Sequence, residues 1–190
     1  MLNQILKAPV KVVKFFLTRK RIPTASKFFS YFKIRTINPP LPYFAQIEPT
    51  TRCNFNCITC TRKTFPHQRL NRDLKLEDFK LIIQKIPSLK IVKLQGMGEP
   101  LLNPSLEDIL KWGRKKKISF ITICNGSLLD KNLHLVPFFD NLTISFDSIR
   151  KENFEKLRSG SNFDKIISNL KLVIDYKRKK KISTKIGLNT

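Results

Sequence analysis

The chain has 190 residues and a mass of 22.2 kDa, enough for one domain with a real hydrophobic core. Its 41% hydrophobic and 10% aromatic content excludes a disordered chain, and its net charge of +23 indicates either anionic partners or a strongly basic solvated surface. Four cysteines are too few for a disulfide-built scaffold, and no apolar stretch approaches the roughly 20 residues of a transmembrane helix. Together these features predict a protein of the reducing cytoplasm.

Residues 1–42 form a purely cationic arm, because no Asp or Glu precedes Glu48. Apolar residues recur between the charges at roughly helical spacing, and Pro9 and Pro23 interrupt any single helix. Three interpretations follow. The arm could lie on an anionic membrane surface, pack as one or two helices on the main domain with its lysines in water, or serve as a basic transit peptide. Prolines at its end predict a linker into a main domain of residues 43–190.

In that domain, short strand-like segments alternate with longer helical patterns. This order predicts a parallel sheet with crossover helices. Asn103 with Pro104 is expected to cap a helix around Ser105–Lys116, and Ser161 with Asp164 to begin a later one. The predicted strands are Phe44–Pro49, Lys90–Gly96, Ile118–Cys124, Leu142–Asp147 and Thr184–Asn189.

Several of these strands are polar on one face. Strict alternation separates polar from apolar side chains, whereas a fully covered parallel sheet has strands that are apolar on both faces. A barrel-like sheet with a polar lumen accounts for the pattern, and so does an open sheet that is partly exposed to solvent. The polar set is Gln46, Glu48, Lys93, Gln95, Thr143, Ser145, Asp147, Gly187 and Asn189, and the apolar set is Ile47, Leu94, Ile144, Phe146 and Leu188.

Three cysteines, Cys53, Cys57 and Cys60, follow the first strand at spacings of four and three residues. A structural zinc site normally takes four tetrahedral ligands, and His67 or Cys124 could supply the fourth. An iron–sulfur cluster held by three thiolates leaves one iron open for a ligand. In that case the missing fourth cysteine is itself the functional feature.

The Cys-x-x-x-Cys-x-x-Cys run resembles the signature of the radical S-adenosylmethionine (SAM) superfamily. Further elements match that family in order: GMGEP at 96–100 resembles its Gly-Glu-Pro motif, and CNGSLL at 124–129 resembles the turn after its third strand. The later segments SFDS and FEKLRSGSNFDKIISNL resemble its fourth strand and the helix after it. They point to the peptide-modifying and SPASM-associated members.

The resemblance implies a [4Fe-4S] cluster and S-adenosyl-L-methionine as cofactors. Cys53, Cys57 and Cys60 would be the cluster ligands. Contacts to SAM would come from Gly96, Gly98, Glu99, Ser145, Arg158 and Asn189, with Glu99 on the SAM amino group and Ser145 and Arg158 on its ribose or carboxylate. Cys124, where the family often has Thr, is expected to be a small semi-buried thiol.

The reaction implied by the resemblance is reductive cleavage of SAM to methionine and a 5′-deoxyadenosyl radical, which removes hydrogen from a substrate. Implied partners are a one-electron donor such as flavodoxin or ferredoxin and a substrate that could be a peptide, a nucleotide or sugar, or a metabolite. Fold alone does not choose among these.

The family fold is a partial (β/α)6 TIM-like barrel, and the sequence supplies about five of its strands, so we expect a core that is incomplete at the C-terminus. Thr59 stands where many members carry an aromatic residue that packs near adenine.

A second class of function remains open on the basis of charge. The chain could be a basic nucleic-acid or anionic-membrane binding module with a structural metal site, supported by the basic runs at 114–117 and 177–181. Both runs are predicted at helix C-termini, where cations stabilise the helix dipole, and they lack aromatic residues for base stacking. These observations weigh against nucleic acid.

Overall fold

The computed structural model describes residues 41–190, in which five parallel strands form one sheet. Their spatial order is the same as their order in the chain, and every neighbouring pair is parallel. Sequential order is typical of (β/α) barrels, whereas doubly wound sheets reverse direction at a switch point. The prediction of a partial TIM-like barrel is confirmed. The strands are β1 (Phe44–Ile47), β2 (Ile91–Leu94), β3 (Ser119–Cys124), β4 (Asn141–Ser145) and β5 (Lys185–Asn189).

Helices connect the strands, with one exception. Between β3 and β4 the chain forms a 3₁₀ helix, Leu133–Phe138, instead of the expected α-helix. Pro137 lies within this segment and has no N–H for an α-helical hydrogen bond. The α-helices are α1 (Leu76–Lys85), α2 (Leu106–Lys115), α3 (Lys151–Leu157) and α4 (Phe163–Lys180).

The predicted starts of two helices were wrong in detail. Helix α2 begins three residues after Asn103, whose Oδ1 accepts a hydrogen bond from the Ser105 N–H at 2.7 Å and so closes the turn before the helix. Helix α4 is capped by Asn162, whose Oδ1 accepts from the Lys165 N–H at 2.8 Å. Ser161, the expected cap, lies one residue too early.

Alternation along the strands separates two faces, as the sequence predicts. On β4, Leu142 and Ile144 are buried while Thr143 and Ser145 are partly exposed. The apolar face packs against the helices and forms the core. The other face is more polar and leads toward the site described below. Core residues of the sheet are Val92, Leu94, Phe120, Leu142 and Ile144, and those of the helices are Phe79, Ile109, Leu110, Ile166 and Val173.

Leu188 lies on the apolar face, as assigned, since its partner in register is the buried Ile144, but unlike Ile144 it is not buried. Its side chain is 49% exposed, because β5 pairs with β4 on one side and has no strand beyond it among residues 41–190. At the opposite edge, Phe44 of β1 is likewise exposed.

Residues 1–40, and with them the predictions about the cationic arm, lie outside the described residues. Within residues 41–190, no helix is both long enough and apolar enough to cross a membrane. Basic side chains occupy the last turns of α2 and α4, as expected, at the end of the sheet where strands begin.

Candidate active site

The loop that carries the three cysteines leaves β1 and is held in place before the first of them. The Thr50 hydroxyl donates to Asp73 Oδ1 at 2.6 Å, and the Thr51 N–H donates to the Arg72 carbonyl at 2.9 Å. Arg52 forms an ion pair with Asp73 at 3.0 Å and also donates to the Leu102 carbonyl at 2.5 Å. The start of the loop is therefore pinned both to the chain before α1 and to the turn that follows β2.

All three cysteines are half-buried free thiols. The Phe55 N–H points at Cys53 Sγ at 3.5 Å, and the Arg62 N–H points at Cys60 Sγ at 3.4 Å. Backbone donors aimed at sulfur stabilise thiolates and are a feature by which proteins tune iron–sulfur clusters. The loop thus supplies donors for negative charge on two of the three sulfurs.

The thiols fit a cluster better than a single ion. In residues 41–190, no three His, Cys, Asp or Glu side chains converge closely enough to hold one metal ion, whereas a cluster distributes its protein ligands over several irons. Burial raises the pKa of Cys53 and of Cys57, and a cationic neighbour, Arg158, opposes the effect at Cys57. Metal loading must therefore release thiol protons.

Glu99 is the buried carboxylate of the site, with 2% of its surface exposed. Its Oε2 accepts from the Asn125 N–H at 2.7 Å and its Oε1 from the Leu101 N–H at 3.2 Å. Burial raises its pKa to about 7, against the opposing effects of these two hydrogen bonds and of Arg158. An ammonium group placed beside this carboxylate would favour the charged form.

Gly98 lies where backbone segments meet. A Cβ at this position would lie 2.8 Å from the Thr50 carbonyl carbon and closer still to the carbonyl oxygens of Thr50 and Arg52. The next residue, Glu99, donates its N–H to that same Arg52 carbonyl at 2.8 Å. Glycine is therefore needed to join the turn after β2 to the cysteine loop.

Gly96 makes room for a different carboxylate, that of Glu48, the residue directly after β1. A Cβ at position 96 would lie 2.5 Å from the Glu48 carboxyl carbon. Glu48 Oε1 accepts from the Met97 N–H at 2.6 Å and thereby fixes the turn. This packing requirement explains the glycine without any contact to SAM.

One cleft of about 220 Å³ brings together most of the predicted site residues. All three cysteines, Gly96, Gly98, Glu99, Ser145 and Arg158 contribute to its wall, at the end of the sheet where parallel strands terminate. Thr59 and Cys124, which were not among the predicted site residues, also line it. The remaining lining residues are Phe55, Gln95, Met97, Ile123, Asn125 and Asp147.

Arg158 forms an ion pair with Asp147 across the cleft wall, with 2.8 Å between Nε and Oδ2. The Arg158 side chain is 12% exposed and lies over the Phe154 ring at 5.8 Å. Its Nε–H is buried and is not directed at any acceptor in residues 41–190, so the contact with Asp147 is ionic without a well-formed hydrogen bond. The guanidinium nevertheless lines the cleft, where it can contact an anionic ligand group.

Asn189 does not line the cleft. It is exposed on β5, paired in register with Ser145, and its carbonyl accepts from the Phe146 N–H at 2.7 Å. Cys124 is more deeply buried than expected, with 2% exposure, and burial raises its pKa well above the ordinary value.

Sequence reasoning missed an amide network that joins the cysteine loop to the turn after β3. Asn125 Nδ2 donates to Asn54 Oδ1 at 2.9 Å, and Asn54 Nδ2 donates to the Ser127 hydroxyl at 2.8 Å. Through the Asn125 N–H the network reaches Glu99. Asp147 was also missed as a site residue, although its position just after β4 is where barrel sites collect functional groups.

Replacing Gly98 by alanine is expected to destabilise the fold and weaken SAM binding. The new Cβ would meet backbone atoms of the cysteine loop, which cannot move aside as a flexible side chain can. Overpacking of this kind costs about 1–3 kcal/mol in the free energy of unfolding. Chemical denaturation and SAM titration would measure both effects.

Gly187→Ala is the matched control, because its Cβ would lie 3.7 Å from Thr143 Oγ1, an ordinary contact. Equal stability of the two variants would show that the turn after β2 moves aside at no cost.

Comparison with known proteins agrees with this geometry. The Radical SAM superfamily model matches residues 47–189. A protein from Saccharolobus islandicus named "Probable GTP 3′,8-cyclase" is 29% identical over 135 residues, which cover 68% of this chain and 43% of that protein. The chain therefore spans less than half the length of this curated relative.

Solved structures show the same fold. Streptococcus suis SuiB is 16% identical with a TM-score of 0.64, covering 97% of this chain and 43% of that one. Its crystal structure with bound S-adenosylmethionine has a TM-score of 0.60 at 17% identity, covering 79% of this chain and 32% of that one.

Proposed function

Because the chain belongs to the radical SAM superfamily, we propose that it holds a [4Fe-4S] cluster through Cys53, Cys57 and Cys60 and uses it to cleave SAM. Membership makes it an enzyme of SAM-dependent radical chemistry, whose family cofactors are the cluster and SAM. The observation that supports the proposal best is that three free thiols and the buried Glu99 line one cleft.

In this superfamily the bound, reduced cluster supplies an electron that converts SAM to methionine and a 5′-deoxyadenosyl radical, which removes a hydrogen atom from the substrate. The side chains of this chain bind and orient SAM. Glu99 would accept hydrogen bonds from its ammonium group, and the Arg158 guanidinium, which also pairs with Asp147, would donate to its carboxylate. Ser145, the last residue of β4, lines the same cleft and would contact the ribose.

Electron transfer requires a donor, and a small flavodoxin or ferredoxin is the kind of partner we propose. The substrate class is not set by the cleft. A peptide, a nucleotide or sugar, and a metabolite are all compatible with the side chains that line it.

Two measurements on anaerobically purified protein test the proposal. Iron and acid-labile sulfide should both be present, and 5′-deoxyadenosine should form from SAM after reduction with dithionite. Stoichiometric zinc without sulfide would instead favour the basic binding module with a structural metal. That alternative has no support from the cleft, since the basic runs lie at the other end of the strands.

Residues 1–35 are predicted to bind anionic lipid if the cationic arm lies on a membrane surface. Deleting them should then abolish co-sedimentation with phosphatidylserine-containing vesicles at low salt and leave the iron content unchanged. If both forms sediment equally, the arm does not bind lipid.

A further inference from the structure

A second cavity, of about 270 Å³, lies beside the SAM cleft. We propose that it is the substrate subsite and that it takes a small molecule combining an anionic group with hydroxyl or amino donors. This inference rests on the proposed function, since it takes the neighbouring cleft as the SAM site. The cavity is lined by Gln46, Glu48, Phe65, Arg69, Gln95, Gly96 and Met97.

The position of the second cavity favours a role with the substrate. Gln95, Gly96 and Met97 line both spaces, so the two are direct neighbours across the turn after β2. From that turn the SAM cleft extends toward Ser145 and Arg158 on the β4 side, whereas the second cavity extends toward β1. SAM held by Glu99 and Arg158 would leave the β1 side for another molecule next to it.

Two side chains in the second cavity can each accept a further hydrogen bond. Glu48 uses one oxygen for the Met97 N–H and forms no ion pair with any basic side chain of residues 41–190. Gln95 Oε1 is buried, and no donor in the same part of the chain reaches it. Buried acceptors are normally satisfied, so Gln95 Oε1 favours a ligand with a hydroxyl or amino donor. Glu48 is only partly buried, and its second carboxylate oxygen can accept a further donor from the same ligand.

Arg69 supplies a positive charge to the second cavity, opposite in sign to that of Glu48. Its guanidinium carbon lies over the Phe65 ring, 4.5 Å from the ring centre, a distance at which the cation is attracted to the ring face. None of the ion pairs between described residues involves it. A guanidinium without an ionic partner is suited to bidentate binding of phosphate or carboxylate.

Two kinds of small molecule carry this combination of groups. Nucleotides and sugar phosphates join a phosphate to hydroxyl groups, and amino acids join a carboxylate to an ammonium group. The shared chemistry is an anion for Arg69 and donors for Glu48 and Gln95.

The test measures binding of GTP and of L-lysine by calorimetry, each to the iron-loaded chain with saturating SAM. We expect one of the two probes to bind. The Arg69→Gln variant should bind that probe about tenfold more weakly or worse, because a charged hydrogen bond is lost. Arg150→Gln is the matched control, because Arg150 is exposed and lies outside both cavities. Binding of GTP alone would indicate a phosphate-containing substrate, and binding of L-lysine alone would indicate an amino acid.

Gln95→Met separates a binding role from a structural one. Removing a buried oxygen that lacks a partner should not lower the denaturation midpoint, whereas probe binding should weaken. A loss of stability without a loss of binding would overturn the proposal, as would failure of both probes to bind or equal binding by Arg69→Gln. Iron content and SAM affinity of the wild type are measured in parallel, so that failure of the SAM site is recognised separately.

Discussion

Serine at position 53, 57 or 60 is expected to abolish stable iron loading, whereas Cys124→Ser should retain it. A serine hydroxyl is a far poorer ligand than thiolate for iron in such a cluster. The three thiols lie on one loop whose start is fixed by the Arg52–Asp73 ion pair, so the loss of one ligand cannot be compensated by the others. Iron and sulfide per chain after anaerobic reconstitution are the quantities to compare.

Cys124 is an informative control because it lines the same cleft. It is buried in the core at the end of β3, and the turn after that strand offers a backbone donor to its side chain, so serine can be accommodated there. Equal iron loss in Cys124→Ser would mean a four-thiolate site with no open iron. The SAM-cleaving function would then be excluded.

The parallel sheet and the cysteine loop could be predicted because their signals are local. Strands such as Asn141–Ser145 alternate strictly, and the cysteine spacing is contained within eight residues. The polar ends of the strands also predicted where a site would form, since parallel strands bring their carboxyl ends to one edge.

Contacts between distant segments could not be predicted in the same way. Gly96 was assigned to SAM from its motif, and that contact stays a prediction; the motif did not show that Glu48, directly after β1, occupies the space a side chain at position 96 would need. The partners of Arg158 and Asn54 likewise depend on packing that no short pattern encodes. At the cap of α4, two adjacent polar residues compete and only the backbone geometry decides between them.

Glu99→Gln is expected to keep the cluster and lower SAM affinity by about 10- to 100-fold. The change removes the charge opposite the ammonium group, and a charged hydrogen bond contributes about 1.5–3 kcal/mol. It also leaves either the Asn125 or the Leu101 N–H facing an amide NH₂ group, so the free energy of unfolding must be measured alongside. Glu77→Gln, an exposed carboxylate at the start of α1, is the control.

The pH dependence of SAM binding tests the same contact independently. Burial raises the pKa of Glu99 to about 7 in the SAM-free protein, so the carboxyl group is largely neutral at pH 6 and largely charged at pH 8. Only the charged form pairs with ammonium, and the SAM amino group, with a pKa near 8 for α-amino groups, keeps its proton over most of this range. The ratio of wild-type to Glu99→Gln affinity should therefore rise between pH 6 and about 7.5. A ratio that is independent of pH would show that this carboxylate does not contact the ammonium group, even if the variant binds SAM weakly.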